Sequence, residues 1–200
     1  MKKFELTSEF VTFSGKKLFR IKTLVSFGDV EEGELGGFVE KEENLEQSGN
    51  AWVYGNAWVY GDARVYGDAR VSSNAWVYGN AQVSGNAQVS SNAQVSGNAQ
   101  VYGDARVSGD AWVSGNAQVS GNAWVYGDAW VSGDARVSGD ARVSGDARVS
   151  GDAWVSGNAQ VYGNAWVQNC RDYSATVIRE FNVYIRVPIL TFSTLLNLKN

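Results

Sequence analysis

Nine aspartates, at 62, 68, 104, 110, 128, 134, 140, 146 and 152, occupy one letter of a recurring six-residue word. Six arginines each stand two residues after one of them, as in Asp62-Ala63-Arg64 and Asp140-Ala141-Arg142. Carboxylates stacked at a fixed period can bind Ca²⁺ or shift one another's pKa. If three words make one coil, Asp110, Asp128 and Asp146 stack along one corner, and Asp134 and Asp152 along another. Asparagine alternates freely with aspartate at this letter, however, so the position asks for a turn former and leaves charge optional. Every Arg in the words follows Asp and every Gln at the same letter follows Asn, which reads as local neutralisation worth ~0–1 kcal/mol per pair.

The other residues able to do chemistry are aromatic. All eight tryptophans fall at the third letter of the word. Sorted by three, the words give one column of Trp58, Trp76, Gln94, Trp112, Trp130, Arg148 and Trp166, a second holding Trp52 and Trp124, and a third holding Trp154. Tyr60 and Tyr78 lie beside Trp58 and Trp76 on the same strands. The candidate binding residues are therefore Trp58, Tyr60, Trp76, Tyr78, Trp112, Trp130 and Trp166. Such a row fits three uses: a ladder that stiffens the coil, a protein interface, or stacking on sugars or exposed bases.

These side chains are carried by residues 50–169, twenty consecutive words of the form [Asn/Asp]-Ala-x-Val-x-[Gly/Ser], the last closing on Asn169. Ala and Val lie two apart and share one face of an extended strand, while the two variable letters share the other. Ala and Val thus face inward and the aromatics outward. Gly followed by Asn or Asp is corner chemistry, since these residues tolerate left-handed backbone. Short self-similar units of this kind bury their apolar side by stacking on their neighbours.

The words resemble the left-handed parallel β-helix of the hexapeptide-repeat superfamily, in which three words make a triangular coil of eighteen residues. The resemblance covers residues 50–169 and implies an all-β solenoid of six to seven coils, roughly 30 Å long at the ~4.8 Å strand spacing. Stack ends expose unpaired edges, so caps are expected: residues 1–49 before the words, with a strand in Lys17–Phe27, a turn at Gly33–Gly37 and an acidic, solvated stretch from Asp29 to Glu46, and residues 170–200 after them, as a closing cap or interface. Phe19-Arg-Ile-Lys-Thr-Leu24 and Gly33-Glu-Leu-Gly-Gly-Phe-Val-Glu40, leading into Asn-Ala-x-Val words, resemble the opening of hexapeptide-repeat proteins carried by bacteriophages and prophages.

The superfamily's acyltransferases use a histidine base, and its carbonic anhydrase branch holds zinc with three histidines. This chain has no histidine and one cysteine, Cys170, so neither chemistry carries over to any position. No cofactor or metal is expected, and no enzymatic activity.

The net charge of −4 over 200 residues is neither basic enough for nucleic-acid binding nor strongly acidic. A single cysteine allows no disulfide within the chain and points to the cytoplasm, that of the host if the gene is a phage's. The first residues lack a signal-peptide run, and the apolar stretch Val183–Leu198 is interrupted by Arg186, Pro188 and Asn197, which argues against membrane insertion. The expected partner is another copy of the chain, in a trimer if it follows the superfamily, or a host protein. The alternatives are a solenoid that recognises carbohydrate and, more remotely, an acyltransferase relative that works without histidine. Bulky Arg and Gln beside the serine column of Ser72, Ser90, Ser108 and Ser144 argue against an ice-binding plane.

Overall fold

The computed structural model describes residues 2–168, 177–179 and 182–183. Cys170 and most of the 170–200 segment lie outside the described residues.

Each word folds as a two- or three-residue strand followed by a corner, and strands eighteen residues apart pair in parallel. Three sheets result, wound as a solenoid of about seven turns. The first face carries Trp58, Trp76, Gln94, Trp112, Trp130, Arg148 and Trp166 in one unbroken register. The second carries Trp52, Arg70, Gln88, Arg106, Trp124, Arg142 and Gln160, and the third Arg64, Gln82, Gln100, Gln118, Arg136 and Trp154. Every Ala and Val of the words from Ala51 to Val167 is buried, because the period-2 alternation of each strand points both letters into the prism. Strands Val177–Arg179 and Asn182–Val183 extend the second and first faces by parallel pairing, in line with closing strands after the words.

The corners turn on left-handed backbone. Gly109 has φ +71°, and a Cβ placed there would sit 2.8 Å from the Gly127 nitrogen of the next coil. Only glycine combines that dihedral with that approach. Ser73 and Ser91 hold the same corner shape at φ +62° and +61°, in the only two words that end in serine. Between corners, side-chain amides form ladders: Asn80 Nδ2 donates to Asn98 Oδ1 at 3.0 Å, Asn98 to Asn116 at 2.9 Å, and Asn116 to Asp134 at 2.7 Å.

Parallel ladders join the coils. Trp58 N donates to Ala75 O at 2.9 Å and Tyr60 N to Val77 O at 3.0 Å, and the pattern repeats from coil to coil. The N-terminal end of the stack therefore presents both carbonyls and N–H groups that its cap must pair. Strands β1 (Phe4–Phe13), β2 (Lys16–Thr23) and β3 (Leu35–Val39) do so as an antiparallel set whose last member pairs in parallel with the strand of Trp58. Phe38 N and Glu40 N donate to Ala57 O and Val59 O. Asn44 Nδ2 reaches Gly61 O at 3.0 Å and Ala63 O at 2.8 Å, and the buried Lys3 ammonium donates to Ala51 O at 2.9 Å.

Two sequence expectations for this cap are corrected. Gly33 makes a turn, with φ +85°, but Gly36 and Gly37 lie within β3. A Cβ on Gly36 would fall 2.6 Å from Val53 O, and one on Gly37 2.6 Å from Ala57 O, so these glycines let the strand press against the first coil. The acidic stretch is more than a solvated surface. Glu40 accepts from Gly61 N at 2.6 Å and from Lys16, Glu46 accepts from Gly67 N at 2.9 Å, and Asp29 holds Arg70 with two bonds of 2.8 and 2.9 Å. Burial would push the Glu40 carboxyl up, but the Lys16 ammonium and the Gly61 N–H outweigh it and hold the group below the usual carboxylate range.

Candidate functional site

The parallel register lines up all seven candidate aromatics on the first face, but the cap divides them. Phe13, at the tip of the β1–β2 hairpin, folds onto that face with its ring centroid 5.2 Å from Trp58, 5.3 Å from Trp76 and 6.1 Å from Tyr60. Trp58 stacks on Trp76 at 5.0 Å and 7°, and Tyr60 on Tyr78 at 5.1 Å and 3°. All four rings are half-buried. Burial pushes the Tyr60 hydroxyl up to about 12. This half of the row is where the hairpin docks.

Beyond Gln94 the row emerges. Trp112 and Trp130 stack at 5.2 Å and 2°, with 37% and 38% of their surface exposed. The Arg148 guanidinium lies 5.6 Å from the Trp130 ring, within cation–π range. Trp166, half-buried, follows on the same register.

A diagonal hydrogen bond fixes these rings, and sequence reasoning missed it. The indole Nε1 of Trp112 donates to Ser96 Oγ at 3.2 Å, Trp124 to Ser108 at 3.3 Å, Trp154 to Ser138 at 3.2 Å and Trp166 to Ser150 at 3.1 Å. Each partner stands sixteen residues earlier, one coil back and one outward letter on. The signal was present in the words: once the coil is eighteen residues, the third letter of one coil and the fifth of the previous coil are neighbours. Tyrosine uses the same diagonal in the other direction, Tyr66 OH donating to Gln82 Oε1 at 3.2 Å and Tyr78 OH to Gln94 Oε1 at 3.4 Å.

Trp52 departs from the outward expectation. Its ring is fully buried between Phe4, at 6.1 Å and 69°, and Phe27, at 5.5 Å and 72°, because the cap folds over the start of the second face as well. Charge neutralisation also runs to the cap at two places. Asp62 pairs with Lys41 at 2.8 Å and Arg70 with Asp29 at 2.8 Å, so neither uses the Asp–Arg partner two residues away.

Among the described residues no group of three or more His, Cys, Asp or Glu is placed to hold a metal ion, the stacked aspartate corners included. No helix among them is long and apolar enough to cross a membrane. What the first face offers is a rigid stack of indoles with one cation set against it.

The YdcK beta solenoid repeat family matches the chain over residues 63–79, 81–97, 99–115 and 117–133, and again in overlapping segments at 129–144, 135–151 and 141–157. These segments fall within the words, and the first four start eighteen residues apart, one coil each. The chain is a β-solenoid repeat protein. No curated protein matches it. The family repeat spans Trp76, Tyr78, Trp112 and Trp130 of the solenoid but stops short of Trp58 and Trp166, so the exposed pair sits on matched repeat and the half under the hairpin lies only partly on it.

Proposed function

We propose that the protein is a non-enzymatic solenoid that assembles through the exposed half of its first face, with a second copy of itself as the partner. The observation that carries this reading is the Trp112–Trp130 stack, parallel to within 2° and more than one-third exposed. Apolar surface kept rigid at the outside of a prism is costly to leave in water and marks an interface.

The letters of that face favour a second copy. Trp112, Trp130 and Arg148 follow one another at one-coil spacing. Two copies set antiparallel about Trp130 bring Arg148 of each opposite Trp112 of the other, and the two Trp130 rings together. This is the self-complementary contact that a twofold interface requires, and the cation–π geometry of Arg148 over Trp130 shows that the guanidinium already favours an indole face. The trimer implied by the wider superfamily has a threefold axis and no such pairing, so oligomer mass separates the two.

The absence of histidine and the smooth run of words without loop insertions support a role without catalysis. The Phe19–Glu40 segment supports a bacteriophage or prophage origin, and a single cysteine supports a reducing, cytoplasmic setting. The test is oligomeric mass in solution for the wild type and for Trp112→Ala with Trp130→Ala: loss of the assembly in the variant, with circular dichroism unchanged, is the expected result.

A further inference from the structure

The third face carries a gap in an aromatic ladder. Tyr66 and Tyr102 stand two coils apart in strict register, with Ser84 between them. They flank an open cleft of about 250 Å³ lined by Tyr66, Gln82, Ser84, Gln100 and Tyr102. Both tyrosines are exposed, at 37% and 38%.

The size of the gap follows from the coil. Two coils separate the rings by roughly 10 Å, twice the ~4.8 Å strand spacing. Where tyrosines occupy the same letter in adjacent coils, as Tyr60 and Tyr78 do, they stack at 5.1 Å and 3°. The interval between Tyr66 and Tyr102 is therefore that of a three-ring ladder whose middle ring has been replaced by serine. A single planar ring entering over Ser84 meets an aromatic face on each side at the spacing the solenoid already uses.

The lining also sets which ring. Tyrosine hydroxyls at this letter reach the glutamine sixteen residues on, Tyr66 to Gln82 and Tyr78 to Gln94. Applied to position 84, the same diagonal ends on Gln100, which lines the cleft. We propose that the Tyr66–Ser84–Tyr102 slot receives a tyrosine side chain from a polypeptide partner, its ring sandwiched between the two tyrosines and its hydroxyl donating to Gln100 Oε1. The same Tyr–Ser–Tyr order recurs at 126, 144 and 162, but there Trp124 packs on Tyr126 at 4.9 Å and 45°, on a different face and with different neighbours. The slot is independent of the Trp112–Trp130 surface, on another face of the prism.

The experiment titrates N-acetyl-tyrosinamide into the full chain and follows the aromatic and Ser84 resonances by NMR. A saturable shift with a Kd of roughly millimolar is expected for one ring. N-acetyl-phenylalaninamide should bind roughly 2- to 10-fold more weakly for want of the hydroxyl. Ser84→Tyr, which fills the gap with the chain's own ring at a letter where tyrosine already stacks, should abolish binding while its circular dichroism matches the wild type; Gln100→Ala should bring the two probes to equal affinity. Trp112→Ala with Trp130→Ala should bind as the wild type does, which keeps this result separate from the assembly surface. An absent shift, undiminished binding to Ser84→Tyr, or a methyl glucoside that binds where the tyrosine probe does not would overturn the proposal.

Discussion

The indole Nε1 of Trp112 lies 3.2 Å from Ser96 Oγ, sixteen residues earlier, and this bond ties the ring to the coil before. Ser96 is 6% exposed beneath it. Ser96→Ala should cost ~0.5–1.5 kcal/mol, the net worth of one hydrogen bond, and should let the Trp112 ring reorient. Urea unfolding reads the first effect, and fluorescence anisotropy in a background where Trp112 is the main reporter reads the second. Unchanged stability and anisotropy would mean that stacking on Trp130 alone fixes the ring.

Corner backbone gives a paired prediction. Gly109→Ala adds a methyl 2.8 Å from Gly127 N and 2.9 Å from its oxygen, at φ +71°, and should destabilise by ~1–3 kcal/mol. Ser73→Gly should be neutral or stabilising by up to ~1 kcal/mol, because Ser73 already holds φ +62° against its own Cβ. Thermal unfolding of the two variants beside the wild type checks the signs.

Hairpin docking rests on Phe13. Phe13→Ala removes the ring that touches Trp58, Trp76 and Tyr60, and should loosen β1 and β2 by ~1–2 kcal/mol while the repeats stay as they are. Hydrogen exchange should quicken at residues 10–18 and remain slow in the words beyond Gln94. Faster exchange throughout would show that the hairpin holds the whole stack.

Alkaline stability should rise and then fall. Burial lowers the Lys3 ammonium to about 8, so between about 8 and its ordinary 10.5 the unfolded chain binds the extra proton and raising the pH favours the fold. Burial pushes the Tyr54 and Tyr60 hydroxyls up to about 12, so above their ordinary 10 the unfolded chain loses protons first and raising the pH favours unfolding. These groups together place a maximum near pH 10. At the acid end the carboxyl of Glu40, held below its ordinary 4.5, contributes stability that is lost as the pH falls through that range. Denaturant midpoints from pH 3 to 11.5 check the profile, and Lys3→Met should flatten the rise above pH 8.

The sheets were legible because nothing interrupts the period. With three words to a coil and no insertion, the partners of Trp58, Trp76, Gln94, Trp112, Trp130, Arg148 and Trp166 follow from counting, and the observed register is that count. The cap was not legible in the same way. Trp52 and Trp58 occupy identical words, yet one is buried between Phe4 and Phe27 and the other lies under Phe13, and no letter of the repeat records which cap residue folds over which coil. The roles of Lys3, Asn44 and Glu40 were hidden for the same reason. They answer backbone groups at the end of the stack, carbonyls for Lys3 and Asn44 and an N–H for Glu40, and which groups are left there is a property of the coil and not of any one word. For the candidate site, the row was readable but its division at Gln94 was not.

That division makes the choice of variant decisive for locating the assembly surface. Light scattering coupled to size exclusion, on the wild type, on Trp112→Ala with Trp130→Ala, and on Trp58→Ala with Trp76→Ala, is the most direct measurement. The wild type should show twice the 21.7 kDa chain mass, the first variant the single chain mass, and the second a retained dimer with a loosened hairpin. A wild type that stays monomeric from micromolar to submillimolar concentration, or a dimer that survives loss of Trp112 and Trp130, would contradict assembly through this surface.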